Sequence, residues 1–243
     1  MSGHSKWSQI KHKKALTDAK KGKIFSKLAR LITVAARQKG GDLSTNSQLR
    51  LAVEKARSFN MPSENIERAI KKGTGEAEGE KMEEMLIEAY GPSGVALMIE
   101  AVTDNKNRTV SEIKFLLNQR GGKMAEAGSV AWLFDRRGAL TISLVNSKIS
   151  KDDLELLAID SGAQDLKWLD GDTLEIYTIP EDLEKIKKAL EAKNIRPESA
   201  GLIWLAKTLI PLNNEKDKNS LEALLNELDE HPDVQEIYSN IKE

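Results

Sequence analysis

Residues 139–206 read ALTISLVNSKISKDDLELLAIDSGAQDLKWLDGDTLEIYTIPEDLEKIKKALEAKNIRPESAGLIWLA. Ala139 to Val145 is apolar and partly β-branched, which suits a strand. A helix is expected over 151–161, carrying Leu154, Leu157 and Ala158. Strands follow near 164–169 and 173–178, joined at Asp170-Gly171-Asp172, a hairpin signal. Thr178 and Glu181 stand at capping-box spacing before the next helix, whose Leu183, Ile186 and Leu190 share one face. A long strand from Leu202 to Ile210 stops at Pro211. The order is β-α-β-β-α-β, the split βαβ or ferredoxin-like unit.

The flanks of that unit mirror each other. Before it come a strand over Val95–Val102, a helix over 106–119 with Val110, Ile113 and Leu117 inward, a break at Gly121-Gly122 and a strand over Ser129–Phe134. Arg136-Arg137-Gly138 reads as the turn into Ala139. After it come a helix over 217–230, with Leu221, Leu224, Leu225 and Leu228 inward, and a strand over Val234–Ser239. One small α+β domain inserted into another explains this nesting. Trp132, Trp168 and Trp204 are each followed by Leu at equal spacing, but their surroundings differ. They read as apolar anchors of three strands rather than as a repeat.

The first 75 residues are helical in pattern. Ile24, Phe25, Leu28, Leu31, Ile32 and Ala35 form one stripe, ended by Gly40-Gly41. Leu49, Ala52, Val53, Ala56 and Phe59 form a second stripe over about 46–59. Pro62 then stands where a first-turn proline is tolerated, before a third helix with Ile66, Ala69 and Ile70 inward and Gly73 as its stop. Three amphipathic helices can close as a bundle. The expected class is therefore α+β: an N-terminal helical bundle followed by an α+β domain with an inserted ferredoxin-like domain. The expected boundaries are 1–77 for the basic helical part, 78–136 with 207–243 for the discontinuous α+β domain, and 137–206 for the insert.

A formal net charge of −1 conceals a division. Residues 1–75 hold 17 Lys and Arg against 5 Asp and Glu; the remainder holds 20 against 33. Such a split suggests one polyanion-facing part and one acidic, protein-facing or solubilising part. Nine of the first thirty residues are basic and only Asp18 is acidic. Lys6, Lys11, Lys13, Lys14, Lys20, Lys21, Lys23, Lys27 and Arg30 are candidate phosphate contacts, with His12 among them. Each neutralised phosphate steepens the salt dependence by roughly 0.9 log units on duplex DNA. Trp7 either stacks on a base or covers the bundle. Thr103 to Thr109 (TDNKNRT) lies between a strand and a helix. Asp104 or Asn105 could cap that helix, and Lys106, Asn107 and Arg108 would equally suit a phosphate at its N-terminus.

Little else points to chemistry. Cysteine is absent, which excludes disulfides and thiolate sites. His4, His12 and His231 have no partners at helical metal spacing. Gly73-Thr74-Gly75 precedes no Gly-Lys-Ser/Thr and reads as part of a linker. No run of about 18 apolar residues exists, so no membrane partner is expected. The reading is a non-enzyme, without cofactor, metal or small-molecule substrate, and cytoplasmic.

Several motifs closely resemble the YebC family: Gly3-His4-Ser5-Lys6-Trp7, Ile10 to Ala15, Asp18-Ala19-Lys20, Gly22 to Phe25, Asn60-Met61-Pro62, Asn65 to Ile70, Gly73-Thr74-Gly75, Tyr90-Gly91-Pro92, Thr103 to Thr109 and Gly128 to Trp132. The similarity extends to Tyr177-Thr178, Pro180-Glu181 and Val234-Gln235. Lys123 to Ala127 departs mildly, with alanine where the family tends to have glycine and threonine. The resemblance implies three domains and a non-enzymatic regulator of gene expression. Two roles are implied: a translation factor that binds ribosomal RNA and eases synthesis of proline-rich stretches, or a regulator of transcription bound to promoter DNA. Composition and periodicity do not choose between them. The lysine-rich, Arg- and Asn-poor first helix tilts the reading toward charge-driven RNA contact on the ribosome.

Overall fold

The structure is a computed structural model describing residues 18–145 and 149–242, with side chains from Lys21 onward. Three helices open the described chain: α1 (Asp18–Lys39), α2 (Ser47–Ser58) and α3 (Ser63–Thr74). Their apolar stripes meet as the periodicity requires: Leu28, Ile32, Ala35, Leu49, Ala52, Val53, Ala56, Ile66 and Ala69 form one buried core. Asn46 caps α2 through Leu49 N–H, and its buried amide also donates to the carbonyls of Ala35 and Gly40. One side chain thus satisfies the end of α1 and the start of α2.

Gly73 is not the stop of α3. The helix continues to Thr74, and Gly75 takes the left-handed cap at φ 82°. A Cβ on Gly73 would lie 2.3 Å from the Thr33 carbonyl oxygen and 2.7 Å from the Ala36 Cβ. The glycine is there because α1 and α3 cross in contact. Thr33 completes the crossing by donating to the carbonyls of Ala29 and Ala69.

A four-stranded sheet follows, in the order β3-β1-β2-β9. Its strands are β1 (Glu83–Tyr90), β2 (Ala96–Thr103), β3 (Lys123–Met124) and β9 (Val234–Ser239). β2 pairs antiparallel with both β1 and β9. Helices α4 (Lys106–Gln119) and α7 (Glu215–Glu230) cover one face. Ile87, Ala89, Leu97, Ile99, Ile113, Leu117, Leu221, Leu224 and Leu228 make that core. α1 contacts β2 and β9, so bundle and sheet share one compact unit. Residues Met1–Asp135 and Leu205–Glu243 form this unit, and Arg136–Trp204 form a second.

The second unit carries most of a four-stranded sheet ordered β5-β6-β4-β7. The strands are β4 (Phe134–Ser143), β5 (Asp165–Trp168), β6 (Thr173–Thr178) and β7 (Ser199–Ala206). Helices α5 (Lys151–Asp160) and α6 (Leu183–Ala192) complete the β-α-β-β-α-β order. Beyond β7, β8 (Ile210–Pro211) pairs in parallel with β10 (Ile241–Lys242).

Four further expectations fail locally. Arg136-Arg137-Gly138 is no turn: β4 runs through it, and Gly138 sits where a Cβ would meet Thr178 Oγ1 at 2.3 Å. The Thr178 capping box does not form; Thr178 donates to the Ile179 carbonyl and a 3₁₀ turn at Pro180–Asp182 leads into α6. The strand at Leu202–Ile210 divides into β7 and β8. Of the strand expected at Ser129–Phe134 only Phe134 is extended, as the start of β4; Ser129–Leu133 is a turn and a 3₁₀ turn, so Trp132 anchors no strand and stands exposed. There the backbone N–H groups of Gly128, Val130 and Ala131 are taken by the Glu88 carboxylate instead of a neighbouring strand.

Candidate nucleic-acid interface

Lys6, Trp7, Lys11, His12, Lys13 and Lys14 lie outside the described residues, and Lys20 is described only as part of α1. The remaining candidates can be placed. Lys21 is exposed near the start of α1. Lys23 Nζ lies 2.6 Å from Glu230, and Lys27 Nζ donates to the Asp229 carbonyl at 2.5 Å. Arg30 donates to the Asp233 carboxylate and to the Pro232 carbonyl. Lys55 of α2 pairs with Glu236 on β9. Burial opposes its charge, but Glu236 outweighs that and raises its pKa above the usual lysine value. One side of the basic bundle is therefore matched to an acidic stretch, 229–236, at the end of α7 and the start of β9. Sequence reading sees the charges of both but cannot see that they meet.

The TDNKNRT segment is organised around the same stretch. Asn105 caps α4 by accepting from Arg108 N–H at 3.1 Å, and Thr103 Oγ1 accepts from Asn105 N–H. Arg108 donates to Asp104 and to Asp233, at 2.7 and 3.0 Å. Thr109 Oγ1 donates to Asp233 at 2.6 Å. Lys106 pairs with Glu83 at 2.7 Å. Of the two readings left open for this segment, capping is what the geometry realises. Its arginine is already held by two carboxylates, which raise its pKa further.

Asp233 is the centre of this arrangement, with a side chain only 1% exposed. It receives two guanidinium groups and a hydroxyl, while its backbone carbonyl accepts from Val102 N–H. Burial pushes its carboxyl up, but the donations from Thr109, Arg108 and Arg30 win and set it at about 2. Beside it His231 donates from Nε2 to Glu112 at 3.0 Å while Nδ1 accepts from Asp233 N–H. Glu112, His231 and Asp233 have ligand atoms within 4.8 Å of one another. A cation there would have to displace two arginines from Asp233, so the donor set fits ion pairing rather than a metal. The three come together from α4 and from the end of α7, which spacing along the chain does not reveal.

A second buried carboxylate, Glu88 on β1, accepts from Gly128, Val130 and Ala131 N–H at 2.5–2.8 Å. Burial raises its pKa and these three donors lower it by more, giving a net depression. The loop so fixed presents Trp132, whose Nε1 donates to the Ser129 carbonyl at 2.9 Å. Tyr90 Oη donates to the same carbonyl at 3.1 Å.

The family model described as "TACO1/YebC protein N-terminal domain" matches residues 5–76, and that described as "TACO1/YebC second and third domain" matches residues 82–241. A "probable transcriptional regulatory protein" of Fervidobacterium nodosum is 50% identical over 241 residues, covering 99% of this chain and 93% of its own. A protein of Halothermothrix orenii with the same description is 48% identical over 240 residues, covering 99% and 94%. The crystal structure of a conserved hypothetical protein, Aq1575 from Aquifex aeolicus, superposes with a TM-score of 0.88 at 43% identity, covering 98% of this chain and 97% of that one.

Proposed function

The chain belongs to the TACO1/YebC family, and from that premise we propose that it regulates gene expression by binding nucleic acid, without catalysis. The finer reading is a cytoplasmic, ribosome-associated translation factor. Its basic arm (Lys6, Lys11, Lys13 and Lys14, with Trp7 and His12) and the start of α1 (Lys20, Lys21) contact ribosomal RNA. In this reading the bundle at 1–77 grips RNA, and the α+β domain with its insert at 137–206 positions the protein.

One observation carries the choice of RNA over a base-reading DNA contact. α1 is occupied on two sides: its apolar stripe is in the bundle core, and Lys23, Lys27 and Arg30 are turned to residues 229–233. A recognition helix must offer a free face of base-reading side chains to a major groove. α1 has little such face left, whereas contacts to backbone phosphates by the arm need none. The names of the relatives favour the second reading, a DNA-binding transcriptional regulator.

The test is binding of the full chain to ribosomes and to random duplex DNA of equal phosphate content across a salt series. Lys13→Glu with Lys14→Glu serves as the arm variant. The translation reading expects ribosome binding that persists near physiological salt, duplex binding that collapses, and loss of the former in the variant. Preferred, sequence-specific duplex binding would establish the second reading instead. Undiminished binding by the variant would remove the arm from either.

A further inference from the structure

We propose that Tyr90, Lys123 and Trp132 form a stacking platform for an unpaired nucleobase of single-stranded nucleic acid, separate from the basic arm. The proposal rests on the reading of the chain as a nucleic-acid binder. Trp132 is 65% exposed, unusual for the largest apolar side chain. It is also held in place. Its ring nitrogen donates to Ser129, its carbonyl accepts from Lys207 Nζ at 2.9 Å, and its loop is fixed by Glu88. With the polar edge satisfied inside the protein, the carbon faces are what the indole offers to solvent.

Tyr90 meets the same Ser129 carbonyl, so the two rings share one anchor. Tyr90 also lines a shallow open cleft of about 380 Å³, with Gly91, Ser93, Gly94, Gly121, Gly122 and Lys123. At Gly94 and Gly121, with φ of 76° and 77°, nothing lies within 4 Å of where a Cβ would be. The floor is thus bare backbone, open to close approach. Lys123 Nζ stands 5.8 Å from the Tyr90 ring centroid, and among the described residues no carboxylate pairs with it. Nearby carboxylates have partners: Glu88 on its loop, Asp217 on Ser93, Asp135 on Lys207. Glu126, in the same loop and opposite in charge to Lys123, has none among the described residues.

Two aromatic rings, one unpaired cation and an exposed backbone are the parts of a single-strand site. The near-neutral charge separates it from the arm. Binding here depends on stacking and is little weakened by salt, whereas binding by the arm weakens steeply.

The experiment titrates the full-length protein with a short oligouridylate and with a duplex of equal length, at low and at elevated salt. Variants are Trp132→Ala, Trp132→Tyr, and Lys13→Glu with Lys14→Glu. Trp132→Ala should weaken single-strand binding roughly 5- to 150-fold, about the loss of one stacked base. The factor should be similar at both salts, duplex binding should be unchanged, and Trp132→Tyr should retain most of the affinity. Because Trp132 is exposed, its replacement should leave thermal unfolding unaltered. Equal single-strand affinity for wild type and Trp132→Ala overturns the platform, as does equal weakening on the duplex. The arm variant should reduce only the salt-sensitive component; if it changes nothing while Trp132→Ala does, the arm reading fails and the platform stands.

Discussion

Two of the buried carboxylates among the described residues, Asp233 and Glu88, are used in different ways. Asp233 receives side chains from distant elements: Arg30 of α1, and Arg108 and Thr109 of α4. Glu88 receives only backbone N–H groups from one loop. Asp233 therefore decides how the bundle sits on the sheet, and Glu88 decides the shape of a single surface. A buried anion costs little when its donors are fixed in advance, and a great deal when one partner is removed. The two sites should differ in how far the damage from such removal travels.

The largest effect is expected at the hub. Asp233→Ala leaves two guanidinium groups and a hydroxyl without their acceptor and should cost about 3–5 kcal/mol. Urea unfolding measures the loss. Hydrogen exchange should show it as lost protection in both α1 and the α4 N-terminus. Next comes Glu88→Ala, which orphans three backbone donors and should cost about 2–3 kcal/mol. Its effect should stay local, seen as a change in Trp132 fluorescence with α1 still protected. Glu88→Gln keeps one acceptor oxygen and should recover part of the loss. If Glu88→Ala also releases α1, the contrast between the two carboxylates is mistaken.

Acid should act on both sites in the same direction. Their folded pKa values lie below the unfolded ones, so their stabilisation is present above the unfolded carboxylate range and is lost as pH falls through the folded values, which for Asp233 is about 2. For Asp233 the loss amounts to roughly 2 kcal/mol. Asp233→Asn should flatten the slope of stability against pH in that window. An unchanged slope would mean that other carboxylates dominate acid unfolding.

The contrast also explains what was readable in the sequence. The stripes of α1, α2 and α4, the hairpin at Asp170–Asp172 and the strand Val234–Ser239 follow from local period and turn chemistry, and they appear where expected. β1 is hard to see in the sequence because Glu83, Glu84 and Glu88 obscure its alternation, although Met85, Ile87 and Ala89 face the core. Gly73 and Gly138 look like stop and turn but serve close crossings, a property of a neighbour distant in sequence. Likewise the basic stripe of α1 was legible, and its acidic partner 200 residues later was not. Local rules give elements and charges; which charge meets which is decided by topology.

The smallest expected effect sharpens this last point. Lys23 and Glu230 are both well exposed, so their pair should contribute no more than about 1 kcal/mol, and less in salt. A double-mutant cycle on Lys23→Ala and Glu230→Gln should find a coupling of that size. The consequence for binding has the opposite sign. Glu230→Gln removes a negative charge beside a lysine of the candidate interface, so polyanion affinity should rise slightly, and only at low salt. In the Lys23→Ala background the gain should shrink, because the lysine that would meet the phosphate is gone. A gain of equal size in both backgrounds would mean that Glu230 repels the polyanion as a surface charge rather than by occupying Lys23.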